Sequence, residues 1–333
     1  MKKVLFTTTA LVAFAGAASA EVTLSGYAEM GIKGGTGMET QFHNDIDVKF
    51  SLSGETDGGL TFGATIDLDE VSTSQEAGGM PGAKGPVNKS SVFISGAFGT
   101  VTLGDTDGAL DWAMQEVGIG SALTDDHTTH AGFNGNGGLD GSNDGQVLRY
   151  DYSFNAFSVA LSAEMEDTNT AGSDTTWGIG IKYNTTLGGV ELGLGLGYQS
   201  GKPVTRVAGA DAKFFTTDDV VTVGAKANIW GVSVDAKFAG GFRTILNYSD
   251  LDGKGGFDKH VGLGVGYSSG PLTVSANYGK YDGVLPAADK DGYGVAVNYD
   301  LGGGAVVMAG YGKSNPTGAP STNTWSLGLG LSF

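Results

Sequence analysis

The chain has 333 residues, no cysteine and 59 glycines, with 36 acidic against 19 basic side chains and a formal charge of −17. An exported chain without cysteine has no disulfides to hold it together, and this much glycine without a Gly-X-Y period excludes collagen. The negative balance makes nucleic acid and anionic membrane surfaces poor partners and cations good ones.

The first element in chain order is a leader. Lys2 and Lys3 precede an apolar stretch, Val4 to Ala15, that is too short to span a bilayer, and Ala18-Ser19-Ala20 forms a small-x-small cleavage pattern. The expectation is a cleaved signal peptide over 1–20 and a mature domain over 21–333, whose charge falls from −17 to −19 with the loss of Lys2 and Lys3. No later apolar run of about eighteen residues exists, so the chain is not a helical membrane protein.

From Glu21 onward the dominant period is two. Leu24, Ala28, Met30 and Ile32 alternate with Ser25, Tyr27, Glu29, Gly31 and Lys33. Val190, Leu192, Leu194, Leu196 and Tyr198 alternate with Glu191 and three glycines, and Trp325, Leu327, Leu329, Leu331 and Phe333 with Ser326, Gly328, Gly330 and Ser332. Each run therefore has one apolar face and one polar or small face. Many runs reach the roughly 9–11 residues that a tilted strand needs to cross a bilayer. Aromatics such as Phe154, Phe157, Trp177, Trp230, Tyr267 and Tyr299 sit near run ends, as interfacial girdles require.

Short turns are expected near 55–59, 96–99, 154–156, 185–189, 229–231, 268–271 and 300–304. Long connections are expected near 34–44, 70–88, 105–145, 167–175, 199–218, 249–258, 282–291 and 313–322. Seventeen runs can be counted if the chain breaks at Ala239-Gly240-Gly241, but a single-chain barrel of this kind has an even number of strands. Outward parity runs unbroken from Val232 to Tyr248, so 231–248 is read as one strand. The fold class is then all-β: a transmembrane 16-stranded antiparallel β-barrel, wide enough for a water-filled lumen.

The longest connection, 105–145, carries Asp105, Asp107, Asp111, Glu116, Asp125, Asp126, Asp140 and Asp144 and no Lys or Arg. A segment of about forty residues without a period of its own is commonly functional. On composition alone it either caps the barrel or folds into the lumen. Asp105, Asp107 and Asp111 form a candidate Ca²⁺ site, since crowded carboxylates share a cation or take up protons. His127 and His130 read as polar loop surface. All four histidines, His43, His127, His130 and His260, lie in or next to expected loops, which disfavours a lipid hydrolase with a Ser-His pair on the barrel wall. The strand glycines alternate with large aliphatic residues, and no phosphate-binding glycine motif is present.

Glu21-Val22-x-Leu24-Ser25-Gly26 resembles the mature start of the trimeric general porins of purple bacteria. So do Phe93-Ile94-Ser95-Gly96-Ala97-Phe98-Gly99 followed by Leu103-Gly104-Asp105, then Ala156-Phe157-Ser158-Val159-Ala160, Tyr299-Asp300-Leu301-Gly302-Gly303-Gly304-Ala305 and the terminal Phe333. The resemblance implies a homotrimer with one pore per subunit, seated in outer-membrane lipid and lipopolysaccharide. It implies that 105–145 folds inward as an acidic constriction built from Asp105, Asp107, Asp111, Glu116, Asp125 and Asp126. It also implies basic residues on the facing wall, and here the chain departs from the family. Glu29, Asp45, Asp47, Asp67 and Asp69 occupy early-strand wall positions where basic groups are expected. The basic wall must come from Lys49, Arg149, Lys182, Lys226, Lys237 and Arg243. The implied function is a general diffusion porin for ions and small hydrophilic solutes, cation-preferring and not an enzyme. No cofactor is required, with Ca²⁺ the one candidate. The alternative is a substrate-specific sugar or peptide channel.

Overall fold

The computed structural model describes residues 21–69, 89–143, 145–166, 171–202, 204–207, 209 and 220–333. The expected signal peptide and the 70–88 connection lie outside the described residues, as does Asp144. The strands begin with β1 (Glu21–Gly35), β2 (Met38–Glu55), β3 (Thr61–Asp69), β4 (Lys89–Gly96), β5 (Gly99–Gly104) and β6 (Val147–Phe154). They continue with β7 (Phe157–Glu164), β8 (Thr176–Leu187), β9 (Val190–Gly201), β10 (Val204–Val207), β11 (Val220–Val223) and β12 (Ala227–Lys237). The last six are β13 (Phe242–Asp250), β14 (Phe257–Ser269), β15 (Leu272–Gly283), β16 (Lys290–Gly302), β17 (Ala305–Pro316) and β18 (Thr322–Ser332).

Sixteen of these close into an antiparallel barrel in chain order, with β1 paired to β18 and β9 to β12. Among the described residues, β10 and β11 pair only with each other. Closure pairs every edge of the barrel strands, which a spanning structure in lipid requires. The outward face is the apolar one: Leu194, Leu196, Val232, Leu246, Val261, Leu263 and Val265 stand exposed on it. The opposite face carries Gly, Ser, Asn and charged residues, and much of it is buried by the chain itself.

Aromatic pairs mark both rims. Phe154–Phe157, Phe157–Tyr183 and Phe242–Tyr267, with centroids 5.7, 4.6 and 4.7 Å apart, lie beside the short turns. Trp177–Tyr198 and Trp230–Tyr248, at 5.2 and 5.3 Å, lie beside the long connections.

The sixteen-strand total holds, but two boundaries behind it are corrected. Residues 231–248 are not one strand. β12 ends at Lys237 and β13 starts at Phe242, with a hairpin at Gly240 (φ +88°) and Gly241 (φ +92°). The turn expected at 229–231 does not exist, because Ile229, Trp230 and Gly231 lie inside β12. The two errors cancel in the count. Unbroken parity was a poor guide because Lys237 pairs with Arg243. Five residues intervene, and an odd number between paired residues returns the same parity. The 34–44 connection is also corrected: β1 and β2 extend through it to a tight turn at Thr36 and Gly37. His43 therefore sits within β2, not in a loop, while His260 lies near the start of β14, next to the 249–258 connection.

Candidate functional site

The segment between β5 and β6 has little regular structure, only a helical turn, α1 (Ala109–Ala113), and a 3-10 turn at Leu123–Asp125. Its backbone groups still need partners, and inward-facing side chains of the wall supply them. Ala109 N donates to Ser162 Oγ of β7 (2.8 Å), Gln115 N to Ser233 Oγ of β12 (2.9 Å) and Gly120 N to Ser275 Oγ of β15 (3.1 Å). Further on, Ser121 N donates to Asn298 Oδ1 of β16 (3.0 Å) and Thr124 N to Glu29 Oε2 of β1 (3.1 Å). On the return, Asn277 Nδ2 donates to His127 O (2.9 Å), Ala131 N to Ser314 Oγ (2.9 Å) and Leu139 N to Gln199 Oε1 (2.5 Å). The Glu164 carboxylate then accepts N–H groups from Gly141, Asn143 and Gly145 at 2.9–3.0 Å. The segment therefore lies inside the barrel and sweeps the inner wall from β7 round to β1.

Wall glycines make that path available. A Cβ at Gly180 would collide with Ala109 O, at Gly195 with Ala113 O, at Gly264 with Val117 O and at Gly279 with Gly132 O. A Cβ at Gly294 would collide with His127 O and one at Gly312 with Asp126 O. The glycines that looked in the sequence like generic strand glycines are thus a track on which the loop backbone rests. The inner face of β2 and β3 carries Asp45, Asp47, Lys49, Ser51 and Asp67 instead, with Lys49 in register with Asp67.

The acidic residues divide by exposure. Asp105, Asp107, Glu116 and Asp125 are exposed, and Asp111 is half-buried. Burial, followed by the charges of Asp107, Asp140 and Glu116, pushes the Asp111 carboxyl up to about 7 against an opposing pull from Lys182. Burial and then Asp107 and Asp125 push Glu116 up as well. Asp126 does not face the lumen as expected. It is buried, with neither carboxyl oxygen in a hydrogen bond of good geometry, and it lies against Gly310 and Gly312. Burial pushes it to about 6, offset in part by Ser326 and the His127 N–H. Asp140 is raised to about 6 by burial, although Gly108 N (2.7 Å) and Gln199 Nε2 (2.6 Å) favour its charged form.

The two loop histidines are buried anchors and not polar surface. His130 Nε2 lies 2.5 Å from Asn277 Oδ1 and His127 Nε2 lies 2.7 Å from Gly120 O, and burial lowers the pKa of both. Among the described residues no group of three or more His, Asp or Glu side chains is placed to hold a metal ion.

The basic residues are similarly divided. Arg149 Nη1 donates to Asp107 O (2.7 Å) while its Nε meets Asp151 Oδ1 (3.3 Å), and Lys182 Nζ lies 4.0 Å from the Trp112 ring centroid. Arg243 makes a two-pronged contact with Asp235, both distances 2.9 Å, beside Lys237 and Glu191. Lys226 is not on the wall; it is exposed in the connection that precedes β12. Asp69 is in register with Asp47 on β2.

Sequence reasoning missed the side chains that seat the loop: Ser162, Ser233, Ser275, Asn277, Asn298 and Glu164. Their signal was present, because inward positions of β7 to β18 are mainly Gly, Ser and Asn, while those of β2 and β3 are mainly charged or hydroxyl-bearing.

Residues 7–319 match the family described as Gram-negative porin. A porin of Rhodobacter capsulatus is 30% identical over 307 residues, covering 87% of this chain and 93% of that protein. A refined porin structure superposes with a TM-score of 0.69 at 25% identity, covering 94% of this chain and all of the other. A two-site mutant of the Rh. blastica porin shares the fold at 18% identity with a TM-score of 0.62, over 94% of this chain and all of that one. A closed sixteen-stranded barrel, a loop seated inside it and a family match along nearly the whole chain agree: the chain belongs to the Gram-negative porins.

Proposed function

We propose that this porin is a general diffusion channel of the outer membrane that prefers cations. The observation that carries the reading is the division of the inner wall. The loop covers β7 to β1, so the open lane runs beside β2 to β6, between the loop's exposed Asp105, Asp107, Glu116 and Asp125 and a wall holding Asp45, Asp47 and Asp67 as well as Lys49 and Arg149. Acids outnumber bases along that lane. A narrow passage with low-dielectric walls focuses their field and concentrates cations. Arg149 and Arg243 already have carboxylate partners, which leaves less positive charge to oppose it. The mature protein follows removal of 1–20, and it functions as a homotrimer in contact with outer-membrane lipid and lipopolysaccharide; the family resemblance supports both statements. The preference is tested by the reversal potential across a KCl gradient in planar bilayers at pH 8. Cation preference is expected, stronger at 0.1 M salt, where the screening length is about 10 Å, than at 1 M, where it is about 3 Å. Anion preference at low salt would refute it.

A further inference from the structure

At the long-connection rim, the loop, the turn after β13 and the inner wall of β12 to β16 enclose a cavity of about 210 Å³. Its floor is apolar, formed by Leu110, Ile229 and Leu251, which belong to a buried cluster that Phe257 and Tyr281 pack against. Two ammonium groups line it. Lys254 Nζ donates to Gly138 O, and Lys290 Nζ sits 4.6 and 4.5 Å from the Phe257 and Tyr281 ring centroids.

Neither lysine forms an ion pair among the described residues. The carboxylate that acts on Lys254 is Asp140, already bound by Gly108 N and Gln199 Nε2. Asn136 supplies an independent sign. It is 3% exposed, its Oδ1 accepts from Asn247 Nδ2 (2.8 Å), and its Nδ2 has no partner although it belongs to a residue of the cavity wall. A buried donor without a partner is unfavourable, and a ligand that supplies an acceptor relieves it. In a chain of charge −17, a chamber with two lysines that form no ion pair among the described residues, a spare amide donor and a greasy floor is an exception. The missing groups are an anionic acceptor and an apolar body. At about 30 Å³ per water the chamber holds roughly seven waters, which is the size of one substituted ring.

We propose that the chamber bounded by Lys254, Lys290 and Asn136 binds a small aromatic carboxylate, with its carboxylate on the two ammonium groups and its ring on Leu110, Ile229 and Leu251. The site goes beyond the diffusion reading, and its test does not depend on ion preference because binding is measured on the folded protein in detergent.

The probes are sodium benzoate and benzyl alcohol, an uncharged molecule of similar size, titrated into the full chain by calorimetry and followed by saturation-transfer NMR. Benzoate should saturate at one site per chain, and benzyl alcohol should bind about tenfold more weakly, because a charge-assisted hydrogen bond is lost. Lys290→Met, which removes the charge but keeps a long unbranched side chain, should weaken benzoate about tenfold and leave benzyl alcohol within twofold. Lys254 also holds Gly138, so Lys254→Met could disturb the loop; Asn136→Ser is the second variant and should weaken benzoate several-fold. Absence of saturable benzoate binding, equal affinity for the two probes, or unchanged benzoate affinity in Lys290→Met would each overturn the assignment.

Discussion

Single side chains decide whether the loop stays on the wall. Gly294 lies under the His127 carbonyl, so Gly294→Val forces the loop away at a cost of about 1–3 kcal/mol for overpacking. Proteolytic cleavage within 120–135 should rise several-fold and single-channel currents should broaden, whereas Ser51→Val, on the open β2 wall, should change neither. Asp126 acts in the opposite sense. Its carboxyl is held near 6 in the seated loop and returns to about 3.8 when the loop is released into water. A raised folded-state pKa is a stabilising contribution below the lower value that disappears as pH rises through the upper one. The cost of burying the charged form is therefore absent below about pH 3 and complete at pH 8. Asp126→Asn should slow loop cleavage at pH 8, by an amount on the order of 3 kcal/mol given about 1.4 kcal/mol per pKa unit, and leave it unchanged below about pH 3. Equal effects at both pH values would mean that the carboxyl charge is irrelevant to seating. Buried His127 and His130 pull the other way on acidification, since their lowered values favour release below their ordinary range. The comparison between variant and parent at each pH removes their contribution.

At the scale of elements, the β12–β13 hairpin depends on two consecutive left-handed residues. Gly241 at φ +92° also faces Ser268 O closely enough that any Cβ would collide with it. Gly241→Val carries about 1–2 kcal/mol of left-handed strain before the collision is added. The expected result is a clear fall in the urea midpoint in detergent, with Ala239→Val, one position outside the positive-φ pair, close to parent. If 231–248 were one continuous strand, the two variants would behave alike. The hairpin sits beside the Phe242–Tyr267 pair, at the rim with the other short turns, so β12 and β13 cross the bilayer fully like their neighbours. β10 and β11 show the converse: four-residue strands with strand-like composition that, among the described residues, pair with each other outside the barrel. Both cases illustrate that alternation identifies strand-forming sequence but not where a strand stops or what it pairs with.

For the whole molecule, the proposed cation preference places selectivity in the lane between the loop and β2 to β6. Asp111 is the acid of the lane region most open to titration near neutrality, because burial and three neighbouring acids raise it to about 7. Above that pH it is charged and attracts cations; below it the carboxyl takes a proton and the lane loses that charge. Cation preference should therefore fall between pH 8 and pH 6, and Asp111→Asn should reduce it at pH 8 and flatten the fall, both read as reversal potentials. An unchanged inflection in Asp111→Asn would assign the titration to another group, Glu116 being the neighbour raised for the same reasons.

The sequence by itself determined the barrel. Alternation of apolar and polar positions dictates which face of each strand meets lipid, and an even strand count follows from closure with both ends on one side. It also determined that the Asp105 to Asp140 segment is the unusual element, through its length and its acid content. Tertiary structure alone decided where that segment goes. Nothing local in Ala109–Ala113 or in Leu123–Asp125 encodes a path; the path is encoded by glycines, serines and asparagines on distant strands, such as Ser326 against Leu123, 203 residues apart in the sequence. The same distance explains why Asp126, His127 and His130 read as exposed polar residues yet are buried. Their burial depends on wall positions that approach them only when the barrel closes, and a one-dimensional pattern carries no term for that closure.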